Sequence, residues 1–234
     1  MRIFVEPARL VAGELAIAGD EHHYLSRVRR ARVGDALELV DGAGKRARAV
    51  IVAIGDGETR VRAEAVETVV DLPPRVRVLV PLIKGDRMDT CLEKLVEVGA
   101  DELVVWPAAR SVVKLDGARR ETRLAHYAGA VQAAARQCGR AVMPEVRIAD
   151  SLGAVLASLP PGARLVLDPS AERGAMPVAD DVTLASGPEG GLAPAELDAL
   201  AAAGFVSLGL GPRVLRAETA PVIAVALVRA ATSS

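Results

Sequence analysis

Aromatic residues are scarce in this chain, since they make up only 2% of its 234 residues. The hydrophobic core therefore has to be built from aliphatic side chains, and hydrophobic residues amount to 51% of the sequence. Such a core suits buried parallel strands, which are rich in valine, isoleucine and leucine. With 25% charged residues, the composition indicates a folded globular protein and argues against a disordered one.

Cysteine is also rare. Cys91 and Cys138 lie in patterns that predict helices, and neither belongs to a C-x-x-C motif. We therefore expect structural thiols rather than metal or redox chemistry. His22 and His23 are adjacent and cannot both face one metal from a helix, so we predict no metal site.

Long apolar runs are missing as well. The run PVIAVALV, which begins at Pro221, is far shorter than the roughly 20 residues that cross a bilayer. The start, MRIFVEPARL, lacks the apolar core of a signal peptide. We therefore expect a cytoplasmic protein with no membrane partner.

The usual phosphate fingerprints are absent from the stretch SGPEGGLAPAELDAL, which runs from Ser186 to Leu200. A glycine loop that opens a helix often binds phosphate, but Glu189 in the middle of this loop would repel an anion. The sequence therefore predicts a neutral or cationic ligand and argues against a dinucleotide-binding oxidoreductase.

Two domains follow from a change of pattern along the chain. From Ala36 to Thr68 the residues alternate as in strands, with turn signals at Asp41-Gly42 and Asp56-Gly57. With RIFV near the start and a short helix in DEHHYLSRVRRARVGD, these hairpins predict a small antiparallel barrel over residues 1–72. Pro73-Pro74 predicts a linker. In residues 73–234 predicted strands alternate with predicted helices, which is typical of a parallel α/β sheet.

Helices of the second domain are marked by their ends. The stretch GDRMDTCLEKLVEVGAD predicts a helix with Asp86 as N-cap and Gly99 as its stop, and a second helix is predicted from Gly117 to Gly139.

A second glycine loop, LGLGPRVLRAETA, follows the predicted strand FVSLG. Because ligands in such sheets bind beyond the carboxyl ends of the strands, we expect both glycine loops to face one crevice. Arg213, Arg216 and Glu218 would bring charge to it. The alternative is that both loops are only tight turns between strands and helices.

Basic residues are concentrated in the first two-thirds of the chain. Residues 71–147 carry 13 basic and 10 acidic side chains, whereas residues 148–234 carry 5 and 9. A basic run extends from Arg27 to Arg32, and it is either a solvated face or a phosphate-binding surface.

Several ordered motifs resemble one known family. GPEGGL followed by LGPRVLRAETA, together with KGDRMDTCLEKLVEVGAD, RSVVK, QCGR and HHYLSRVRRARVGD, resembles the RsmE family of ribosomal RNA uridine-N3 methyltransferases in the SPOUT superfamily. The likeness spans nearly the whole chain in the family's order.

The resemblance implies an N-terminal PUA-like RNA-binding β-barrel and a C-terminal SPOUT α/β domain with a deep trefoil knot. It implies S-adenosyl-L-methionine as methyl donor, uridine N3 of small-subunit (16S) ribosomal RNA as target, and naked RNA or the small ribosomal subunit as partner. A homodimer is also implied, and the apolar stretch PVIAVALVRAA offers a face for it. The alternative is a non-catalytic ribosome assembly factor with the same fold.

The resemblance also assigns residues. Arg216 and Glu218 are the catalytic candidates, with Arg216 expected to stabilise the uridine anion and Glu218 to hold the loop or cap the last helix. The donor-binding candidates are Leu167, Asp168, Gly187, Pro188, Glu189, Gly190, Gly191, Leu208, Gly209, Gly211, Arg213, Val214, Leu215, Ala217 and Ala220. The RNA-binding candidates are His22, Arg27, Arg29, Arg30, Lys84, Lys94, Arg110, Lys114 and Arg140.

Overall fold

The computed structural model describes residues 1–69, 73–112, 117–177 and 179–232. Its internal contacts divide the chain into two compact units. The first comprises Met1–Asp71 with Ala135–Met143, and the second comprises Leu72–Ala134 with Pro144–Ser234. The predicted boundary between residues 72 and 73 lies at the edge of an undescribed segment and stays a prediction.

The first unit is built on a six-stranded sheet with the order β1-β3-β4-β5-β2, and β6 pairs with β4. Its strands are β1 (Arg2–Phe4), β2 (Gly13–Ala18), β3 (Ala36–Val40), β4 (Lys45–Ile54), β5 (Glu58–Ala63) and β6 (Glu67–Thr68). The two predicted hairpins are confirmed, because β4 pairs antiparallel with both β3 and β5. The expectation of antiparallel pairing throughout is wrong for β1, which runs parallel to β3. These two strands are not joined by a hairpin, since β2 and a helix lie between them in the chain.

The helical insertion of this unit follows β2. It consists of α1 (Gly19–His23) and a π-helical turn, Tyr24–Val28. The turn buries Leu25 in a core that is almost wholly aliphatic, as the composition predicted.

The segment Ala135–Met143 packs against strands of the first unit although it follows far later in the chain. Met143 N donates to Gly42 O at 2.7 Å. The guanidinium of Arg136 pairs with Glu21 at 2.5 Å and lies over the rings of Phe4 and Tyr24. A contact between residues this distant in sequence leaves no local pattern, so the sequence did not predict it.

The second unit is an α/β domain with six parallel strands in the order β12-β10-β11-β7-β8-β9. Its strands are β7 (Arg75–Pro81), β8 (Glu102–Trp106), β9 (Glu145–Ile148), β10 (Ala163–Leu167), β11 (Asp181–Ala185) and β12 (Val206–Leu208). The remaining helices of the chain are α2 (Asp86–Glu97), α3 (Gly117–Cys138), α4 (Leu152–Ala157), α5 (Pro194–Ala202) and α6 (Ala220–Thr232).

The predicted helix ends are largely confirmed. Gly99 ends α2 with φ of 100°, and Gly139 follows α3 with φ of 88°. These are left-handed conformations that glycine adopts readily. Asp86 is not the N-cap of α2, because Gly85 holds that position and Asp86 is the first helical residue.

Both faces of the parallel sheet are covered. Successive strand residues point to opposite faces, and Val78, Leu79 and Val80 are all fully buried. Side chains of α4 and α5 pack on one cluster of strand residues, while α6 packs against α2, β7 and β11. Helix α6 turns several apolar residues inward, and these are Pro221, Ala224, Val225 and Val228. These four residues pack within the chain itself, and the expected contact of this stretch with a second subunit stays a prediction.

Among the described residues, no helix is both long enough and apolar enough to span a bilayer.

Candidate functional site

A cavity of about 700 Å³ opens at the carboxyl ends of neighbouring strands of the parallel sheet. Its walls come from the segments that follow β10, β11 and β12, and Arg87 is added from α2, the helix after β7. The strands β12, β10, β11 and β7 are consecutive in the sheet, so these segments are brought together although they are distant in sequence. The volume falls within the range of about 300–1,000 Å³ that is usual for small-molecule sites.

Most of the predicted donor-binding residues line this cavity. They are Leu167, Asp168, Gly187, Pro188, Glu189, Gly190, Gly191, Leu208, Gly211, Arg213, Val214, Leu215, Ala217 and Ala220. The catalytic candidate Arg216 lines it too. The expectation that the two glycine loops face one crevice is confirmed.

Gly209 does not line the cavity, contrary to the prediction. Its N–H donates to Glu172 O at 3.0 Å, and a Cβ at this position would come within 2.0 Å of Ala171 O. Gly209 therefore permits close packing of two chain segments behind the cavity.

The loop Ser186–Leu192 needs its glycines for its own packing. Gly191 has φ of 71°, and a Cβ on Gly190 would lie 3.2 Å from the Cβ of Arg110. Arg110 Nη1 in turn donates to Gly190 O at 3.0 Å and to Leu192 O at 3.3 Å. Arg110, predicted to contact RNA, thus holds the glycine loop from outside the cavity.

Four charged side chains alternate in sign beside the cavity. Arg87 Nη2 lies 2.8 Å from Glu189 Oε1, and Arg87 Nη1 lies 4.0 Å from Glu218 Oε2. Arg216 Nη1 lies 3.8 Å from Glu218 Oε1. Sequence reasoning missed Arg87, because a basic residue in the first turn of a predicted helix gives no signal of its own.

Glu218 lies behind the cavity wall rather than in it. Its side chain is 13% exposed, and Oε2 is buried without a hydrogen-bond partner among the described residues. Close by, burial, with a smaller contribution from the Glu218 charge, raises the pKa of Cys91 to about 12. The Cys91 thiol therefore stays protonated and unreactive at neutral pH, as expected for a structural cysteine. Cys138 is exposed.

Asp168 directly follows β10 and lines the cavity. Its Oδ1 accepts hydrogen bonds from the Ser170 hydroxyl at 2.6 Å and from the Ser170 N–H at 2.8 Å. These bonds lower the pKa of Asp168 below its usual value. An ionised carboxylate at the strand end is a strong hydrogen-bond acceptor for a ligand.

The basic run of the first unit is exposed. Among the residues that the structure describes, Arg27, Arg29 and Arg30 make no ion pair with a carboxylate. Arg30 has φ of 49°, a left-handed conformation that is uncommon for a residue with a side chain.

Other RNA-binding candidates are placed differently. His22 is buried, and its Nδ1 lies 2.9 Å from Thr59 Oγ1. Its role in contacting RNA stays a prediction, which this burial disfavours. Lys94 is held by Glu93 and Glu97, each at 2.9 Å. Lys84 is exposed, Arg140 is partly exposed, and Lys114 lies outside the described residues.

The described residues contain no group of three or more His, Cys, Asp or Glu that could hold a metal ion.

Two family models match the chain. The model of an RNA methyltransferase domain covers residues 70–229, and that of an RNA methyltransferase PUA domain covers residues 17–64. The first contains the cavity, and the second contains the exposed basic run.

Relatives and solved structures agree with these matches. The ribosomal RNA small subunit methyltransferase E of Mycobacterium tuberculosis is 35% identical over 247 residues, which cover 100% of this chain and 92% of the relative. The protein of the same name from Bacillus subtilis is 29% identical, with 97% and 95% covered.

Among structures, a ribosomal RNA small subunit methyltransferase E from Neisseria gonorrhoeae bound to S-adenosyl methionine superposes with a TM-score of 0.88 at 26% identity, covering 98% of this chain and 97% of that one. A Legionella pneumophila protein in complex with the bound cofactor SAM gives 0.87 at 29% identity, with 98% and 97% covered. Relatives that share one name match this chain over nearly its whole length, and the methyltransferase family model covers the part that contains the cavity. This chain therefore belongs to the ribosomal RNA small subunit methyltransferase E family.

Proposed function

We propose that this protein transfers a methyl group from S-adenosylmethionine to N3 of a uridine in small-subunit (16S) ribosomal RNA. The observation that carries the proposal is the cavity at the strand ends, lined by both glycine loops in a chain of the methyltransferase E family. The family membership supports the RNA substrate, and the resemblance of LGPRVLRAETA to the RsmE motif supports the N3 position.

The residues present fit such a donor. Leu167, Leu208 and Leu215 offer apolar walls to an adenine ring, and backbone groups of the glycine loop are accessible where no Cβ covers them. The carboxylates of Asp168 and Glu189 suit ribose hydroxyls or a cationic group. When bound, S-adenosylmethionine supplies an electrophilic methyl group on a positively charged sulfur.

Arg216 is proposed as the residue that stabilises the uridine anion. Uridine N3 must lose its proton before it becomes a good nucleophile, and the developing charge is shared with the uracil carbonyl oxygens. The Arg216 guanidinium is 78% exposed beside the cavity and carries several N–H donors. Glu218, buried behind it, is proposed to hold Arg216 in place rather than to take the proton.

RNA binding and methyl transfer are proposed for different parts of the chain. Residues 1–72 would bind RNA through a PUA-like barrel, with Arg27, Arg29 and Arg30 contacting phosphates, and residues 73–234 would carry out methyl transfer. We propose that the methyltransferase domain contains the deep trefoil knot of the SPOUT superfamily and that the enzyme acts in the cytoplasm on RNA or on the small subunit.

A homodimer is part of the proposal. Val206, Val214 and Ile223 are large apolar residues that remain 64%, 81% and 41% exposed in the single chain. Sedimentation at micromolar concentration should give a dimer; a fully active monomer would contradict it.

The donor site is tested by a matched pair of glycine variants. Gly191→Val forces a β-branched residue into a left-handed conformation inside the cavity. Gly204→Val imposes the same strain at φ of 82°, at a glycine that does not line the cavity and where a Cβ would meet nothing within 4 Å. Calorimetry should show donor binding lost in the first variant and kept in the second.

Thermal melting serves as the control that both glycine variants are folded. A folded Gly191→Val protein with unchanged donor affinity would show that the donor binds elsewhere.

A further inference from the structure

Arg87 occupies a position that helix stability does not explain. It lies in the first turn of α2, beside Asp86. The positive end of the helix dipole is at this terminus, so a basic residue here is unfavourable. Its side chain, which is 40% exposed, lines the cavity.

The backbone that carries Arg87 is firmly anchored. Its neighbour Met88 is 1% exposed, and Cys91 and Leu92 on the next turn are fully buried. The guanidinium is thus presented to the cavity from a packed helix, whereas its partner Glu189 sits in a loop between β11 and α5.

The loop Ser186–Leu192 is held from two directions. On the outside, Arg110 donates to Gly190 O and Leu192 O. Directly after the loop, Glu196 accepts hydrogen bonds from Ala193 N and from Ala109 N, each at 2.7 Å. On the cavity side, Arg87 forms an ion pair with Glu189 of the loop at 2.8 Å. Without it, the Glu189 side chain would be free to change rotamer.

We propose that Arg87 is a positioning residue of the donor site, which fixes the Glu189 carboxylate at the cavity wall so that the loop Ser186–Leu192 can bind S-adenosylmethionine. This inference rests on the proposed function. The charge of Arg87 is balanced by Glu189 and, at 4.0 Å, by Glu218, so its repulsion of a cationic donor is small compared with the orientation that it supplies.

A double-mutant cycle tests this role. Calorimetry measures S-adenosylmethionine binding to the wild type, Arg87→Met, Glu189→Gln and the double variant. Arg87→Met should weaken binding about tenfold, which corresponds to one charge-assisted hydrogen bond. In the Glu189→Gln background the same change should have an effect within about twofold, the ordinary error of additivity.

Two further measurements separate positioning from simple stabilisation of α2. Arg87→Lys keeps the positive charge and should recover part of the lost affinity, while thermal melting of all variants stays close to the wild type. In steady-state assays Arg87→Met should raise the KM for the donor about tenfold, a larger factor than any decrease in kcat.

The control is Arg62→Met, which removes a guanidinium that pairs with Glu14 at the same distance of 2.8 Å but does not line the cavity. Its donor affinity should be unchanged. Unchanged or tighter binding by Arg87→Met, or additive effects in the cycle, would overturn the inference while the wild type still binds the donor. The proposed function would fail in a different way: the wild type would not bind the donor, or folded Gly191→Val would still bind it.

Discussion

Arg216 and Glu218 stand two positions apart in one motif, yet their surroundings differ. The Arg216 side chain is 78% exposed at the cavity, and that of Glu218 is 13% exposed behind it. A group that stabilises charge on a substrate has to reach it, whereas a buried partner can only orient the group that does. This difference favours Arg216 as the residue that touches uridine.

Replacing Arg216 by alanine should lower turnover by about a hundredfold or more, the usual effect of removing one preorganised stabilising donor. Donor affinity should change little, because the effect arises from the charge that develops on uracil. Steady-state methylation of RNA with varied donor concentration measures both quantities.

Arg213→Ala serves as the matched control, since it removes another exposed guanidinium from the same cavity-lining loop. It should change turnover far less than Arg216→Ala does. If Arg216→Ala kept normal turnover and lost only thermal stability, Arg216 would be a structural residue that pairs with Glu218.

Arg30 combines an exposed charge with an unfavourable backbone conformation. With φ of 49°, it follows the π-helical turn, where Ala31 N donates to Leu25 O at 3.0 Å. Glycine would adopt this conformation without the cost of about 1–2 kcal/mol that a side chain brings. We therefore expect Arg30→Gly to raise the free energy of unfolding while it weakens RNA binding.

Urea denaturation measures the stability of Arg30→Gly, and RNA binding at several salt concentrations measures the affinity. The slope of log affinity against log salt should fall by about 0.7 for one lost phosphate contact on single-stranded RNA. Arg9→Gly, an exposed arginine outside the basic run, is the control and should leave the slope unchanged. An unaltered slope in Arg30→Gly would make the basic run a solvated surface.

At the scale of secondary-structure elements, α6 is fastened to the rest of its unit near its C-terminal end. Arg229 pairs with Asp101 at 2.6 Å and donates to the carbonyl oxygens of Gly99 and Pro74. These partners lie after α2 and before β7, so one side chain links three segments.

Arg229→Met should lower the free energy of unfolding by about 3 kcal/mol, because it removes the ion pair with the largely buried Asp101 and the hydrogen bonds to Gly99 O and Pro74 O. Arg62→Met, which breaks the exposed pair with Glu14, should cost at most about 1 kcal/mol. Chemical denaturation of the two variants gives the comparison. Equal losses would mean that Arg229 does not anchor α6.

Local patterns predicted much of this element structure. The C-terminal ends of α2 and α3, the two hairpins and both glycine loops followed from turn residues and periodicity, which act over a few positions. The parallel pairing of β1 with β3 and the docking of Arg136 on Phe4 and Tyr24 depend on contacts between distant residues. No local signal marks such contacts.

The same distinction applies to the site. The members of the glycine loops were predicted from their motifs, but Arg87 joins them only because β7 lies beside β11 in the sheet. The burial of His22 was not predicted, because the burial of a side chain depends on the packing of its whole unit. The order of the strands in the sheet therefore brings Arg87 to the cavity, and local sequence patterns do not predict that order.

At the scale of the whole molecule, RNA binding and methyl transfer are proposed for different parts of one chain. The family models divide it in the same sense, with a PUA domain over residues 17–64 and a methyltransferase domain over residues 70–229. An assembly factor without catalysis would share this organisation and would bind RNA with the same salt dependence. Only transfer of the methyl group distinguishes the two functions.

The most direct measurement is to incubate the purified protein with isotopically labelled S-adenosylmethionine and unmodified small ribosomal subunits, and then to map the labelled base. Label is expected on N3 of a uridine in 16S ribosomal RNA, and Arg216→Ala should lose that label. Label on another atom or another base would contradict the proposed specificity, and the absence of label from wild-type reactions with subunits and with free RNA would contradict the enzyme itself.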